Sequence, residues 1–112
     1  MRFAVLGSGS QGNGTLIASD STYVLVDCGF SLRETERRLV RLGISPHQLS
    51  AILVTHEHAD HVHGVGLLSR RYNLPVYMSR GTQRGMRKPL EAAGYVAGGQ
   101  TLQIGALTVS VT

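Results

Sequence analysis

Four of the five histidines fall within eight residues, in the run Thr55-His56-Glu57-His58-Ala59-Asp60-His61-Val62-His63. Protonated neighbours at that density would repel one another, so the crowding suggests neutral imidazoles sharing a cation. In an extended segment, residues i, i+2 and i+4 point to one side. That directs His56, His58 and Asp60 to a common face, while His61 points elsewhere and opens the next helix. One short segment can thus offer His56 and His58 to a first metal and Asp60 and His61 to a second beside it. Imidazole and carboxylate donors suit zinc, and also manganese or iron. The run is not the helical zinc-protease pattern, whose second histidine comes four residues after the first; here that position is Asp60. Glu57 is expected to face away into solvent. His63 and His47 read as ordinary surface positions.

A second stretch carries possible chemistry. Gly7-x-Gly9-x-x-Gly12 follows an apolar run and has the spacing of a dinucleotide-binding turn. Such a turn needs a helix after the glycines, because the helix N-terminus holds the pyrophosphate. Here Asn13-Gly14-Thr15-Leu16-Ile17 follows, with a helix-breaking glycine and β-branched residues. The spacing is met without its context, and no dinucleotide cofactor is expected. The loop reads instead as a wide strand-to-strand connection whose backbone can approach something closely, with Ser8, Ser10 and Asn13 as polar contributors.

The elements that must position these residues follow from periodicity and punctuation. Phe3–Leu6, Thr15–Ala18 and Thr22–Val26 read as strands, the last apolar enough to be central. Ser31 and Glu34 are spaced as a capping box. A helix follows, with Leu32, Leu39 and Leu42 on one face, and it stops at Gly43. Ala51–Val54 is a short buried strand running directly into the histidines. Val62–Tyr72 is predicted helical with Val65 and Leu68 inward, Pro75–Met78 a strand, and Thr82–Ala93 a helix. Thr101–Ile104 and Leu107–Thr112 form a predicted hairpin about Gly105. The whole is an α/β pattern in one domain, residues 1–112. Its last strand has nothing after it to cover the edge, an arrangement that invites aggregation, so the sequence reads as the front part of a larger domain.

Composition narrows the class. The chain has 112 residues and a formal charge of +4, and ten of its eleven basic residues are arginine. All but Arg2 fall in three groups: Arg33, Arg37, Arg38 and Arg41; Arg70 and Arg71; Arg80, Arg84, Arg87 and Lys88. A basic surface concentrates polyanions such as nucleic acid, although solvated helix faces have the same composition. No apolar run approaches the roughly 20 residues that span a bilayer, and the start of the chain is too short in apolar residues for a signal peptide. A cytoplasmic location without membrane association is the expectation. Cys28 is the sole cysteine, so no disulfide can form within the chain, and it reads as a small buried residue.

Thr55-His56-Glu57-His58-Ala59-Asp60-His61, with its preceding strand and its following Val62-His63-Gly64, resembles the signature motif of metallo-β-lactamase-fold hydrolases. Gly7-Ser8-Gly9-Ser10-Gln11-Gly12-Asn13 together with Val26-Asp27-Cys28-Gly29 resembles the bacterial YycJ/WalJ-like exonuclease branch more narrowly. The resemblance implies an αββα sandwich, a mixed β-sheet with flanking helices, of which this chain carries the N-terminal half. It implies two divalent metal ions, zinc first and manganese or iron as alternatives. His56 and His58 match first-metal ligands, and Asp60 and His61 match second-metal ligands. Asp27 matches an aspartate that supports the metal loop by hydrogen bonds without normally binding metal. Ser10 and Asn13 match the substrate side of the cleft. The family's remaining ligands, two histidines and a bridging aspartate, would lie beyond Thr112.

The function so implied is phosphodiester hydrolysis of nucleic acid by a metal-bound hydroxide, with Asp60 orienting the nucleophile and the arginines attracting the substrate backbone. Two other readings stand beside it. One is thioester or lactone hydrolysis on the same fold. The other is a non-catalytic fragment that binds metal weakly or pairs with a partner.

Overall fold

The structure, a computed structural model, describes residues 1–9 and 12–110 and, for Asp60, the backbone alone. Six strands form a mixed sheet in the order β1-β2-β3-β4-β5-β6: β1 (Arg2–Gly7), β2 (Gly14–Ser19), β3 (Thr22–Val26), β4 (Ala51–Leu53), β5 (Val76–Met78) and β6 (Gly94–Tyr95). The first three pair antiparallel as a meander, and β3 to β6 run parallel. Parallel neighbours need crossovers. These are supplied by α1 (Leu32–Arg41) after β3, α2 (Ala59–Val62) and α3 (Val65–Tyr72) after β4, and α4 (Arg80–Gly85) after β5. A two-stranded hairpin, β7 (Thr101–Ile104) and β8 (Leu107–Ser110), completes the described residues. Among them, no helix is long and apolar enough to cross a membrane.

The middle strands are covered on both faces, which explains why they are apolar without alternation. Leu16, Leu25, Ile52, Val76 and Met78 face the helices and pack with Leu39, Val65 and Leu68. On the other face Val24, Ala51 and Leu53 pack with Ile104 and Leu107 of the hairpin. Neighbouring residues of β3 and β4 thus serve opposite cores, as a period of two requires. The hairpin is also pinned by a hydrogen bond, in which Ala106 N–H donates to the buried Thr22 hydroxyl at 2.9 Å. The turn at Gly105 has φ +54. This layering of helices, sheet and hairpin is the α/β arrangement expected from the sequence.

Three local expectations are corrected. The helix predicted over Thr82–Ala93 is only α4, Arg80–Gly85; beyond it the chain is irregular as far as β6, with Met86 buried and Pro89 exposed. The helix predicted over Val62–Tyr72 is broken at His63 and Gly64 into α2 and α3. At α1 the Ser31 hydroxyl accepts from Glu34 N–H, but the Glu34 carboxylate pairs with Arg37 and Arg38 instead of completing the box. The reciprocal box forms elsewhere, between Ser45 and Gln48 around a 3-10 turn at Pro46–Gln48. The C-terminal end of α1 is as expected. Gly43 at φ +77 donates to Val40 O, and Ile44 donates to Leu39 O, the paired bonds of a Schellman motif.

Candidate metal centre

The parallel strands deliver their C-terminal ends to one edge of the sheet, where open α/β sheets bind ligands. Asp27 leaves β3 there, and Thr55 to His61 leave β4. Asp27 N–H still bonds Leu53 O at 2.8 Å, the last rung between the two strands. The next amide, Cys28 N–H, reaches across to His61 O at 2.7 Å, and Gly64 N–H returns to Cys28 O at 2.9 Å. Turning from one partner to the other puts Asp27 at φ +63, a left-handed conformation that aspartate tolerates better than most residues. The histidine loop is thereby stitched along its length to the segment after β3.

The Asp27 carboxylate, buried at 6 % exposure, makes the central polar contacts. Its Oδ1 accepts from Thr55 N–H at 2.7 Å, and its Oδ2 accepts from the Thr55 hydroxyl at 2.5 Å and from His61 Nδ1 at 2.8 Å. The Thr55 hydroxyl also lies 2.9 Å from His56 Nδ1. One oxygen of Asp27 therefore orients two imidazoles, His61 directly and His56 through Thr55.

Proton accounting fixes both rings. A carboxylate oxygen only accepts, so His61 carries a proton on Nδ1, which in the neutral ring leaves the lone pair on Nε2. The Thr55 hydroxyl has one proton, given to Asp27, so towards His56 it accepts. His56 then also holds its proton on Nδ1 and its lone pair on Nε2. Rings held in this way by outer partners are the usual state of metal-binding histidines. Thr55→Val, which keeps the shape and removes the hydroxyl, is expected to weaken zinc affinity about tenfold, while Thr55→Ser restores it; isothermal titration of the apo protein reads both.

Ligand-capable atoms of Asp27, His56 and His61 all lie within 4.8 Å of one another. The His56 and His61 ring centres are 4.7 Å apart. His58 stands further off, its ring centre 6.4 Å from that of His56 and its side chain exposed. The structure thus pairs His56 with His61 more closely than with His58. The Asp60 carboxylate and all of Ser10 lie outside the described residues. Glu57, expected in solvent, is instead half-buried against Gly85.

The glycine loop runs into a strand, β2. Two of its glycines, Gly7 and Gly12, have a cause other than phosphate binding, because the Phe30 ring lies against them, while Gly9 meets no neighbour and stands at φ +132. A Cβ on Gly7 would come within 2.7 Å of that ring, and one on Gly12, at φ +153, within 2.6 Å. Arg38 covers the ring at 4.2 Å and donates to Leu6 O and to Glu34. The Asn13 carboxamide is bonded both ways to the Gly9 backbone, at 3.2 and 2.9 Å, so it braces the loop. A cleft of about 420 Å³ separates the loop from His63. Cys28 is fully buried, 3.1 Å from the Thr35 hydroxyl, and burial pushes its thiol pKa up, the state of an inert structural thiol.

Of the working parts, the sequence offers Thr55 and Gly64 only as members of a motif and Arg38 only as one of a basic group, and Phe30 not at all. Thr55 had a visible signal in its place directly before His56. The others act through contacts distant in sequence.

A family model described as the metallo-beta-lactamase superfamily matches residues 7–108. The chain is 43% identical over 86 residues to a protein named exodeoxyribonuclease YycJ from Bacillus anthracis, covering 77% of this chain and 33% of that protein. It is 39% identical over 85 residues to exodeoxyribonuclease WalJ of Streptococcus pneumoniae, covering 76% and 32%. Among solved structures, a metallo-beta-lactamase from Cronobacter sakazakii superposes with a TM-score of 0.78 over 93% of this chain and 48% of that one. At 20% identity that likeness is one of fold. The chain spans about a third of the length of these curated relatives.

Proposed function

Because this chain belongs to the metallo-β-lactamase superfamily, we propose that it forms part of a metal-dependent hydrolase that cleaves phosphodiester bonds of nucleic acid from a strand end. The observation that carries this reading is the gathering of His56, His61 and Asp27 at the sheet edge, with both imidazoles oriented by one carboxylate. The exodeoxyribonuclease names of the YycJ and WalJ relatives support the choice of substrate.

The residues present suit the metals that the family implies. Two neutral imidazoles with Nε2 lone pairs form a donor set for zinc, and also for manganese or iron. His56, His58, Asp60 and His61 would hold two divalent ions, with Asp27 as outer support. Bound there, the ions would supply Lewis-acid chemistry, activating water near neutral pH and offsetting phosphate charge. The chain's own groups do the positioning. Asp27 holds the proton at His61 Nδ1, Thr55 holds that at His56 Nδ1, and Asp60 orients the attacking water. The glycine loop, braced by Asn13 at its Gly9 end, borders the substrate, with Asn13 and Ser10 as its polar contributors.

End-labelled single-stranded DNA and an acyl thioester, each incubated with the purified protein and Mn²⁺ or Zn²⁺, test the reading. The expected result is metal-dependent shortening of the DNA. EDTA should abolish it, and His58→Ala should lower it by more than the roughly 10–100-fold typical of losing an outer partner. Thioester turnover without DNA cleavage would overturn the assignment.

A further inference from the structure

Two basic groups that are separate in sequence meet on one cleft. Arg70 projects from the last turn of α3, and Arg87 and Lys88 follow α4; all three line a cleft of about 730 Å³ that begins at Glu57 and Ala59 of the histidine loop. His63 stands on the same wall, and the floor is apolar, including Val62, Met86 and Leu90. All three cationic side chains are exposed, and among the described residues no carboxylate pairs with any of them. Glu57, the acidic residue of the lining, is half-buried at the metal end.

We propose that this cleft holds the phosphodiester backbone of a single nucleic-acid strand and leads it to the histidine loop. The proposal rests on the nucleic-acid reading above and adds the residues that take the strand. Three like charges left unpaired around one concavity repel each other, and a polyanion removes that repulsion while releasing its own counterions. The volume lies in the range of small-ligand pockets, roughly 300–1,000 Å³. It therefore suits a few nucleotides of one strand and not a duplex. Among the described residues no Phe, Tyr or Trp lines the cleft, so bases have no broad stacking platform, and recognition runs through phosphates without sequence preference. The cleft opens beside Ala59, which places a bound backbone next to the residues that would hold the metals.

Anisotropy titrations with fluorescein-labelled oligothymidylate and oligouridylate, in EDTA and over a series of salt concentrations, test this. The variants are Arg70→Ala/Arg87→Ala/Lys88→Ala and, as an equal-charge control on the exposed face of α1, Arg33→Ala/Arg37→Ala/Arg41→Ala. Circular dichroism checks that each is folded. Three lost phosphate contacts on a single strand should lower the slope of log affinity against log salt by about 2. Affinity at low salt should fall at least tenfold in the cleft variant, with a smaller change in the control. Equal losses in the two variants overturn the cleft while leaving the nucleic-acid reading intact. Absence of binding by the unmodified protein to either strand overturns both. The deoxy and ribo arms show which backbone is preferred.

Discussion

Asp27→Asn is expected to lower divalent-metal affinity by about 10–100-fold, the range for losing the outer partner of a metal-binding histidine, although it changes a single atom. Asparagine accepts the left-handed backbone at φ +63 about as well as aspartate does, so the turn between β3 and the histidine loop survives. The hydrogen bonding does not. Both carboxylate oxygens face donors: Thr55 N–H at Oδ1, and the Thr55 hydroxyl and His61 Nδ1 at Oδ2. A carboxamide has only one oxygen to offer. If its NH₂ faces Thr55 N–H, two donors oppose each other in a buried place, at a cost of about 1–3 kcal/mol. If its NH₂ faces the partners of Oδ2, Thr55 and His61 must turn to accept. His61 then moves its proton to Nε2 and loses the lone pair that a metal would take.

Two measurements check this. Competitive zinc titration reads the affinity, and ¹⁵N shifts of the imidazoles in the apo protein read the tautomer. An Asp27→Asn protein that binds zinc like the parent and keeps Nδ1-protonated rings would show that the carboxylate does not set the site. Asp27→Ala discriminates less well, because it adds backbone strain of order 1–3 kcal/mol at the same position.

The contrast between Asp27 and its partners shows what could be read without a fold. Elements with local causes were legible. The Ser31 cap, the Gly43 stop, the apolar run of β3 and the turn at Gly105 all depend on residues within a few positions of one another. The histidine loop was legible for the same reason, since its donors are crowded into one segment. What failed depended on distant contacts. Met86 and Leu90 have helical spacing, yet they occupy an irregular segment that packs on the main core. Glu34 has the spacing to complete a box, but Arg37 and Arg38 on the next turn compete for its carboxylate. Gly7 and Gly12 answer to Phe30, a residue no local pattern connects with them. The pairing of His56 with His61 needs Thr55 bridged to a carboxylate 28 residues earlier in the chain, and that bridge exists only once β3 and β4 lie side by side.

Gly64→Ala should be among the most destabilising single changes in the chain. The break between α2 and α3 sits where the backbone at Gly64 crosses the segment after β3. A Cβ there would lie 2.0 Å from the Phe30 carbonyl oxygen and 3.1 Å from Cys28 Sγ. The closest atom is backbone and cannot rotate aside, as the end of a flexible side chain would. Relief therefore requires the two segments to separate, which stretches the Gly64-to-Cys28 hydrogen bond and, three residues back, the Cys28-to-His61 bond. Both belong to the stitching that holds the histidine loop against Asp27. Overpacking of this kind costs about 1–3 kcal/mol where side chains can adjust, and more where they cannot. A loss of about 3 kcal/mol or greater is expected, a large part of the roughly 5–15 kcal/mol that holds a domain together. Gly98→Ala is the matched control, because nothing lies within 4 Å of its would-be Cβ. It should be neutral or raise stability by a few tenths of a kcal/mol, through the reduced freedom of the unfolded chain. Urea unfolding of both variants gives the comparison. Equal midpoints would mean that the chain passes Phe30 with room for a methyl group, and that the close approach at Gly64 is not what positions the loop.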